Sequence, residues 1–300
     1  MKLNIKKIVL ILIPALLLIF LLVKQSFSND DYLHLFFLNV GQGDAEYIRN
    51  GNSYDVLIDG GPDKSVITEL SDIMPFWDRE INLVILSHPH ADHVTGLIDV
   101  LKRYKVDEIV ATDAVSTSSE YLEFLKLIKD KNIHFTLVQD INDIDLGNNI
   151  KLDFIYPKES FKDKKVDNLN NTSIVVKLID DKFSALFTGD LEQDAQQNLI
   201  SNLAIEPLDS ARGRQFSNVN IWKVSHHGSK NGINDNFLKI INPDIAVIEV
   251  GEKNKYGHPA QPTMNKLTDT GAKIFRTDKN GRIEVTTDGQ HFWLAPTRPK

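Results

Sequence analysis

The chain has 300 residues, 42% of them hydrophobic and 25% charged, which is the composition of an ordinary globular protein with a large core. It contains no cysteine, so disulfides, thiolate zinc sites and a cysteine nucleophile are excluded. The formal net charge is −7, and removing residues 1–28, which carry four lysines and no acid, changes it to −11. This excludes the broad basic surface of a nonspecific nucleic-acid binder, although a local basic groove stays compatible with it.

The first 28 residues have the pattern of a membrane anchor or a signal peptide. Lys2, Lys6 and Lys7 precede an uncharged apolar run over residues 8–23, which is slightly short of a hydrocarbon core of ~30 Å. Because lysines before a span stay cytoplasmic, an uncleaved helix predicts a single-pass membrane protein with its domain outside the cell membrane. Ser26-Phe27-Ser28 also resembles a signal-peptidase site, which would make the protein secreted. A buried helix of a soluble domain is the third interpretation.

Strands and helices are expected along the remainder of the chain. Buried strands are predicted at Leu33–Val40 and Leu83–Leu86, a hairpin joins Ala45–Arg49 to Tyr54–Ile58, and a helix covers Val94–Tyr104. The later predictions are a helix near 121–128, strands near 134–138, 150–155, 173–179 and 183–187, a helix at 192–202, a strand at 219–224, helix–strand pairs within 234–250 and 262–276, closing strands at 282–286 and 292–294, and loops at 158–171 and 209–217. Two mixed βα halves predict one domain over 32–296, built as a four-layer αββα sandwich.

The strongest local signal is the segment 87–93, with the sequence Ser-His-Pro-His-Ala-Asp-His, directly after a buried strand. Imidazole and carboxylate are the ligands that zinc and similar metals take when thiolate is absent. A loop that leaves a strand can turn His88 and His90 to one side and Asp92 and His93 to the other, which would seat two ions side by side. The alternative is a polar loop with chance histidines, and three of the nine histidines of the chain within six residues argue against it.

Two later strand ends carry the same kinds of side chain. Phe187-Thr188-Gly189-Asp190 ends an apolar strand with an acid, and a strand at 219–224 is followed by His226 and His227. Alone, Asp190 would be interpreted as a helix N-cap because a helix is expected after it. Since α/β proteins place their sites where successive strands end, the three segments together predict one metal site.

The order of these segments resembles the metallo-β-lactamase superfamily: His-x-His-x-Asp-His after a strand, then Thr-Gly-Asp, then a late histidine at a strand end. The resemblance covers residues 32–295 and implies the αββα fold and metal-dependent hydrolysis. Four further segments are similar to one branch, the extracytoplasmic hydrolase domain of ComEC-type DNA-uptake proteins and its stand-alone relatives. They are 39–44 (Asn-Val-Gly-Gln-Gly-Asp), 170–173 (Asn-Asn-Thr-Ser), 225–229 (Ser-His-His-Gly-Ser) and 256–259 (Tyr-Gly-His-Pro). That branch usually begins the first segment with Asp, where this chain has Asn39.

The resemblance implies one or two divalent ions, zinc by preference and manganese as the alternative, because nitrogen and oxygen ligands suit both. We favour His226 over His227 as the late ligand because it comes first after its strand. The implied ligands are, for the first ion, His88, His90 and a bridging Asp190, and for the second, Asp92, His93, Asp190 and His226.

The first site lacks one ligand in comparison with the wider superfamily. That superfamily supplies a third histidine before Thr-Gly-Asp, whereas this chain has no histidine between His134 and His226. Asn171 and Ser173 stand in the matching region, and amide or hydroxyl oxygen is a weaker zinc ligand than imidazole. The purified protein is therefore expected to carry nearer one ion than two.

Three residues are expected to take part in the reaction. Asp92 would orient the attacking hydroxide or accept its proton, in a role that Asp190 shares. His227 or His258 would protonate the leaving oxygen, with a pKa near the ordinary value of imidazole. The remaining histidines, at strand positions without companions, are expected to be structural: His34, His134 and His291.

Further residues are expected to support the ligands or contact the substrate. Asp59, at a strand end, would hydrogen-bond a ligating histidine, with a turn aspartate as the alternative. Gly41 and Gly43 would let the loop that ends at Asp44 approach the ions closely, with a plain hairpin turn as the alternative. The supporting set is Asp44, Asp59, Asn171 and Ser173, and the basic residues that could bind phosphate are Arg212, Arg214, Lys223 and Lys230.

Phosphodiester hydrolysis is the activity that the branch resemblance favours. The substrate would be DNA during uptake, or a phosphorylated component of the wall or a lipid headgroup, and the acidic net charge slightly favours the smaller substrates. Hydrolysis of a lactam or lactone is one alternative, although the missing third histidine argues against an efficient β-lactamase. A non-catalytic, metal-bound module for binding DNA or wall polymer is the other alternative.

Overall fold

The computed structural model describes residues 10, 12–18, 32–51, 54–203 and 217–297. The predicted anchor or signal, residues 1–28, lies mostly outside these described residues, as does the predicted loop at 209–217. Residues 10 and 12–18 are helical and exposed. Within the described ranges, no helix combines the length and the apolar character that a bilayer crossing requires. The assignment of residues 1–28 therefore stays a prediction.

An eight-stranded sheet carries the first half of the chain together with its C-terminal hairpin. Its strands are β1 (Leu33–Phe37), β2 (Glu46–Asn50), β3 (Tyr54–Ile58), β4 (Glu80–Leu86), β5 (Lys105–Ala111), β6 (His134–Leu137), β14 (Ile283–Thr287) and β15 (Phe292–Pro296). The order across the sheet is β15-β14-β1-β2-β3-β4-β5-β6. Strands β3 to β6 are parallel to one another, so the carboxyl end of β4 faces the same edge as those of its neighbours.

A seven-stranded sheet carries most of the second half of the chain. Its strands are β7 (Asp143–Gly147), β8 (Ile150–Tyr156), β9 (Val175–Asp180), β10 (Phe183–Phe187), β11 (Ile221–Lys223), β12 (Ile245–Ile248) and β13 (Lys273–Arg276). The order is β13-β12-β11-β10-β9-β8-β7, and β10 to β13 are parallel. Buried side chains of both sheets, among them Phe37, Phe154 and Phe187, form the layer of core between them.

Helices cover the outer face of each sheet. On the first sheet they are α1 (Ser65–Ile73), α2 (Ala91–Arg103) and α3 (Ser119–Lys131), and on the second α4 (Gln193–Leu203), α5 (Asp235–Ile241) and α6 (Gln261–Thr270), with the short α7 at Thr277–Asn280. Leu97 and Phe124 pack in the outer core of the first sheet, and Leu199 and Phe237 in that of the second. The predicted four-layer αββα sandwich is confirmed.

The differences from the predicted elements affect how the site is built. Helix α2 begins at Ala91 and not at Val94, so Asp92 and His93 lie in its first turn. The sequence did not predict α1, β5 or β7. Strand β5 begins with Lys105 and carries two acids, and its apolar half is too short to predict a strand without its parallel neighbours β4 and β6.

Candidate metal centre

Three chain segments that follow strands meet at one edge of the sandwich. The segments after β10 and β11 are joined by a hydrogen bond of 3.1 Å, which His226 N donates to Gly189 O. The segment after β4 is tied to the second sheet by Ile174 N, which donates to Ser87 O at 2.9 Å. The edge that the sequence predicted therefore brings segments 87–93, 188–190 and 225–229 together.

Four side chains of these segments form a compact group: Asp92, His93, Asp190 and His227, whose ligand atoms all lie within 4.8 Å of one another. His227 Nε2 lies 3.3 Å from Asp92 Oδ2, and His93 Nε2 lies 3.4 Å from Asp190 Oδ2. Ligands bound to a tetrahedral ion at about 2.1 Å are separated by similar distances. The buried His93 Nε2 has no hydrogen-bond partner within the described part of the chain. The group therefore fits a divalent ion.

His88 and His90 lie beside this group. His88 is buried, and its Nε2 is 2.9 Å from His90 Nδ1 and 3.9 Å from Asp190 Oδ2. Asp190 Oδ2 thus lies near two imidazoles of the 87–93 segment, at 3.9 Å from His88 Nε2 and 3.4 Å from His93 Nε2.

Asp59 lies behind His93. Its Oδ2 is 2.7 Å from His93 Nδ1, and it accepts a hydrogen bond of 2.6 Å from Ser87 Oγ and one of 2.8 Å, on Oδ1, from Ser87 N. A carboxylate that accepts a hydrogen bond from Nδ1–H keeps the proton on Nδ1, which fixes the tautomer and leaves Nε2 unprotonated toward an ion. The geometry thus favours the predicted support role of Asp59 over a plain turn.

The two late histidines both turn toward Asp190. His226 and His227 have left-handed backbone angles, each with φ of 50°. His227 Nδ1 lies 3.1 Å from Asp44 Oδ1 and 3.0 Å from Glu249 O, and its Nε2 faces Asp92. The sequence favoured His226 as the ligand that joins Asp92 and His93, but the structure puts His227 in that group. Chain order after the strand does not decide which ring faces inward, because the left-handed turn rotates both.

His226 occupies a neighbouring position. Its Nε2 is 3.7 Å from Asp190 Oδ2, and its Nδ1 is 3.1 Å from Glu192 Oε1. Its side chain is 24% exposed, whereas that of His227 is 2% exposed, so His226 lies nearer the mouth of the cavity.

Asp44 is held by a buried cation. Lys223 is completely buried and its Nζ contacts Asp44 Oδ2, lies 3.1 Å from Gly189 O and lies 4.0 Å from Asp190 Oδ1. The prediction that Lys223 binds phosphate is therefore wrong, because its ammonium group faces the interior. Lys230 is exposed, and Arg212 and Arg214 lie outside the described residues.

The loop that carries Asp44 approaches the metal centre closely, as predicted. A Cβ on Gly43 would lie 2.3 Å from Asp92 O, so no side chain fits at that position. Asp44 N donates to the same Asp92 oxygen at 3.3 Å. Glycine is therefore required where this loop crosses the first turn of α2.

Two acids behind Asp44 were missed by sequence reasoning. Glu46 and Glu249 are fully buried, and their carboxylate oxygens lie within 4.8 Å of each other and of an Asp44 oxygen. Burial, and then the Asp44 charge, raises the pKa of Glu46 to about 8, and burial together with Glu46 raises that of Glu249 well above its usual range. Glu46 is thus largely protonated at neutral pH. Glutamate within or at the end of an apolar strand was the available signal.

The carboxylates of this site favour the binding of a cation. Burial lowers the pKa of His227, but Asp190 and Asp44 outweigh it and raise that pKa to about 10. Burial also lowers the pKa of His93, and Asp190 and Asp59 raise it well above its usual range. The carboxylates around both imidazoles therefore favour positive charge at this position, which a bound divalent ion would supply.

Asn171 and Ser173 support the turn of Asp190. Asn171 Oδ1 accepts from Glu192 N at 3.1 Å, and Ser173 Oγ accepts from Asp190 N at 3.0 Å. Both oxygens are thus engaged with the backbone of the segment that carries the bridging acid.

His258 lies at the mouth of the cavity. Its ring centroid is 5.7 Å from that of His226 and 6.4 Å from that of His227. Burial, followed by the charges of those two histidines, lowers the pKa of His258 to about 4. The prediction of an ordinary imidazole pKa is therefore wrong for both residues: His258 is neutral at pH 7, whereas the pKa of His227 is raised to about 10. The other histidines lie elsewhere, with acidic neighbours on the sheet or surface: His34, His134 and His291.

Comparison with known proteins identifies the family of the chain. The family model of the metallo-beta-lactamase superfamily matches residues 38–251. The chain is 25% identical over 266 residues to ComE operon protein 3 of Bacillus subtilis, across 82% of this chain and 32% of that protein. It is 26% identical over 272 residues to Recombination protein 2 of Haemophilus influenzae, across 88% of this chain and 30% of that protein. The chain thus spans about a third of the length of these curated relatives.

Solved structures support the fold. The metallo-beta-lactamase fold protein YhfI of Bacillus subtilis superposes with a TM-score of 0.52 and 13% identity, over 89% of this chain and 100% of that one. A mutant of CmlA beta-hydroxylase also has a TM-score of 0.52 and 13% identity, over 86% of this chain and 54% of that one. At such identities the likeness is one of fold.

Proposed function

Because the chain belongs to the metallo-beta-lactamase superfamily, we propose that it is a metal-dependent hydrolase that cleaves phosphodiester bonds. The observation that carries the proposal is the compact group Asp92, His93, Asp190 and His227 at the sheet edge. This group of side chains is accessible from solvent, since the Asp92 side chain is 35% exposed. A substrate can therefore reach it without rearrangement of the core.

The residues of the cavity divide into two ligand sets around Asp190. Asp92, His93 and His227 form one group with Asp190, and His88, which contacts His90, lies beside that group with its Nε2 3.9 Å from Asp190 Oδ2. Histidine and carboxylate ligands suit zinc, with manganese as the alternative. A bound divalent ion would supply Lewis acidity, which activates water for attack and stabilises charge that develops on the attacked oxygen.

The side chains of the chain itself then set orientation and proton transfer. Burial raises the pKa of Asp92, but His93 and His227 outweigh burial and lower that pKa below its usual value. This carboxylate is therefore available in its ionised form to orient the attacking water. His258 is neutral at pH 7 and can donate a hydrogen bond to a phosphoryl or leaving oxygen at the mouth. Lys223 keeps Asp44 ionised, and Asp44 holds His227 in place.

Nucleic acid is the substrate that we favour. Two relatives bear names that refer to recombination and competence, Recombination protein 2 and the Neisseria gonorrhoeae competence protein ComA. At the mouth, the Tyr256 side chain is 61% exposed, and its ring is stacked on that of His258 with a centroid distance of 5.8 Å. Lys255 Nζ lies 5.6 Å from the same ring. An exposed aromatic ring beside a cation suits a nucleotide better than a small phosphorylated headgroup.

The site of action that we propose is outside the cytoplasmic membrane. Support comes from Lys2, Lys6 and Lys7 before the apolar run. Protease added to spheroplasts should digest the domain, while a cytoplasmic marker stays intact. Protection from the protease together with absence from the medium would contradict this location.

Hydrolysis assays with the purified full-length protein test the activity. Bis(p-nitrophenyl) phosphate and single-stranded DNA should both be cleaved when zinc or manganese is supplied, and a chelator should stop the reaction. Asp92→Asn should remove activity on both, because it removes a ligand and the group that orients water. Activity that persists in this variant or in chelator would contradict the proposal, and cleavage of a lactam or lactone alone would establish acyl hydrolysis in its place.

Tyr256→Ala distinguishes nucleic acid from smaller phosphodiesters. Loss of one stacked base costs about 1–3 kcal/mol, so KM for single-stranded DNA should rise by roughly 5–150-fold. Turnover of bis(p-nitrophenyl) phosphate should change little, since this substrate does not need the stacking surface. Equal effects on both substrates would argue against a nucleic-acid role of Tyr256.

A further inference from the structure

We propose that Tyr32 and Trp293 form an aromatic pair that rests in the headgroup layer of the membrane, so that the metal centre faces away from the bilayer. The partner surface is lipid. The inference rests on the proposed location outside the cytoplasmic membrane and on the anchor predicted within residues 1–28. To these it adds an orientation of the domain and the residues that set it.

The two aromatic side chains of the pair lie together at the surface of the first sheet. Tyr32 is 45% exposed and Trp293 is 52% exposed. Their ring centroids are 6.1 Å apart, and the rings meet edge to face at an angle of 89°. Tyrosine and tryptophan are the residues that are enriched where a membrane meets water, because each ring has an apolar body and a polar group.

The pair lies on the outer face of the sheet, at a corner that the helices leave open. Leu33 belongs to the core between the sheets, so its neighbour Tyr32 points to the other face. Phe292 and Leu294 pack against the same inner core, so Trp293 between them also points outward. Among the described residues, the outer core of this sheet takes no side chain from β14 or β15. The corner of β1, β14 and β15 is therefore available to a partner.

Strand directions place the pair at the edge of the sheet opposite the metal centre. Strand β1 is antiparallel to β2, β2 is antiparallel to β3, and β3 is parallel to β4, so β1 and β4 run in the same direction. Tyr32 precedes β1, whereas segment 87–93 follows β4. The seven residues of β4 separate the two edges by roughly 23 Å. Phe76, which is 72% exposed, precedes β4 and so lies toward the same edge as the pair.

The predicted anchor enters the domain at this same edge. Lys24 ends the apolar run, and residues 25–31 link it to Tyr32. Even when fully extended, a link of this length spans no more than roughly 30 Å. The anchor therefore keeps the edge that carries the aromatic pair near the bilayer, and the two rings would fix its contact with the headgroups.

The charges beside the pair fit zwitterionic headgroups. Lys182 N donates to Gly289 O at 2.9 Å, so the turn between β9 and β10 adjoins the turn between β14 and β15. These two turns carry three acids, Asp180, Asp181 and Asp288, which outnumber Lys182. Carboxylates at this position would repel anionic lipid and can contact the ammonium group of phosphatidylethanolamine.

Site-specific labelling of the full-length protein tests the orientation, because the chain has no cysteine of its own. Gln290→Cys places one thiol on the exposed turn beside Trp293, and Glu252→Cys places one after β12, at the edge of the metal centre. Each variant is labelled with a fluorophore and reconstituted in vesicles of phosphatidylcholine and phosphatidylethanolamine. Lipid with a spin label in its headgroup quenches a fluorophore that touches the bilayer, and iodide quenches one that faces water.

The label at Gln290→Cys should be quenched by the spin-labelled lipid and shielded from iodide, and the label at Glu252→Cys should show the reverse. Adding Tyr32→Ser together with Trp293→Ser should lower lipid quenching at position 290 to the level at position 252, while the protein stays with the vesicles through its anchor. Trp293→Ser alone should give part of this loss, and it serves if the double variant does not fold. Val115→Ser is the matched control, because Val115 is 76% exposed and follows β5 at the opposite edge, and it should change nothing.

The inference is overturned if iodide reaches the label at Gln290→Cys in the vesicles, or if the protein does not float with them. Shielding from both quenchers would also overturn it, since a second copy or the N-terminal segment would then cover the pair. Lipid quenching that survives the loss of both rings would assign the orientation to other residues. Failure of the proposed function gives a different pattern, because these vesicles report neither hydrolysis nor the side of a cell membrane on which the domain lies.

Discussion

The two segments that supply the histidines, 87–93 and 225–229, reach the same Asp190 by different means. In the first, the histidines and Asp92 are spread over a loop and the first turn of α2, so their spacing alone separates His88 and His90 from Asp92 and His93. In the second, two adjacent residues need a left-handed backbone before both can face the cavity. A spaced motif can thus indicate the role of each residue, whereas an adjacent pair indicates only that a histidine is present.

The segments also differ in what supports them. The first is held by Asp59, which contacts both Ser87 and His93. The second depends on Asp44, which comes from another part of the chain and is balanced by the buried Lys223. The first segment therefore relies on hydrogen bonds, and the second on a buried ion pair that must stay matched.

The largest expected effect follows from removing the carboxylate that both segments share. Asp190→Ala should abolish binding of both ions and lower turnover on the order of 10²–10³-fold or more, because it removes the bridge between two ligand sets. Metal content and hydrolysis of bis(p-nitrophenyl) phosphate measure this. Asp194→Asn, an exposed acid at the start of α4, is the matched control and should leave both unchanged. Retention of one tight ion in Asp190→Ala would mean that the segments bind independently.

The next effect concerns the buried ion pair behind the second segment. Lys223→Met should lower the free energy of unfolding by about 3–5 kcal/mol, because it leaves Asp44 charged and buried without its partner. Adding Asp44→Asn should recover part of that loss, which urea unfolding of the two single variants and the double variant would measure. Strict additivity of the two changes would show that the residues do not interact energetically.

A smaller effect is expected for the support of the first segment. Asp59→Asn keeps the shape of the side chain but weakens its hold on His93 Nδ1, so the affinity for the second ion should fall by roughly 10–100-fold. Competition with a chelator of known affinity measures the change. The free energy of unfolding of the metal-free protein should change much less than in Lys223→Met, and a larger loss would contradict the contrast between the segments.

The smallest effect is a pH dependence of stability. The pKa of Glu46 is raised from 4.5 to about 8, so the folded protein holds this proton more tightly than the unfolded chain. Its stabilising contribution is present below pH 4.5 and is lost as the pH rises through about 8. Glu46→Gln should therefore gain about 1 kcal/mol relative to the unaltered protein between pH 7 and 9, as measured by urea unfolding. A constant difference across that range would mean that Glu46 is already ionised at pH 7.

Much of the fold was predictable because strongly apolar strands can be assigned from the sequence alone. The hairpin of β2 and β3 and the buried strand β4 were predicted from composition, and the αββα layers followed from their order. Strand β5 was not, since its first half is too polar to be assigned without the neighbours that bury it. Helix α1 was missed although its aliphatic residues Val66, Ile67, Leu70 and Ile73 have helical spacing. The predicted start of α2 was three residues too late, because the first helical turn lies within the histidine motif and has no apolar periodicity of its own.

The sequence by itself determined which chemistry is present: imidazole and carboxylate groups in a fixed order at strand ends, with no thiolate to compete. Only the tertiary structure decided which late histidine joins Asp92, because that choice depends on a left-handed turn rather than on chain order. It also showed that Lys223 is a buried counter-ion of Asp44, and that the buried Glu46 and Glu249 lie beside Asp44. Roles of this kind arise from contacts between residues that are far apart in the chain, such as Ala45 and Glu249 at 204 positions, and such contacts leave no local pattern.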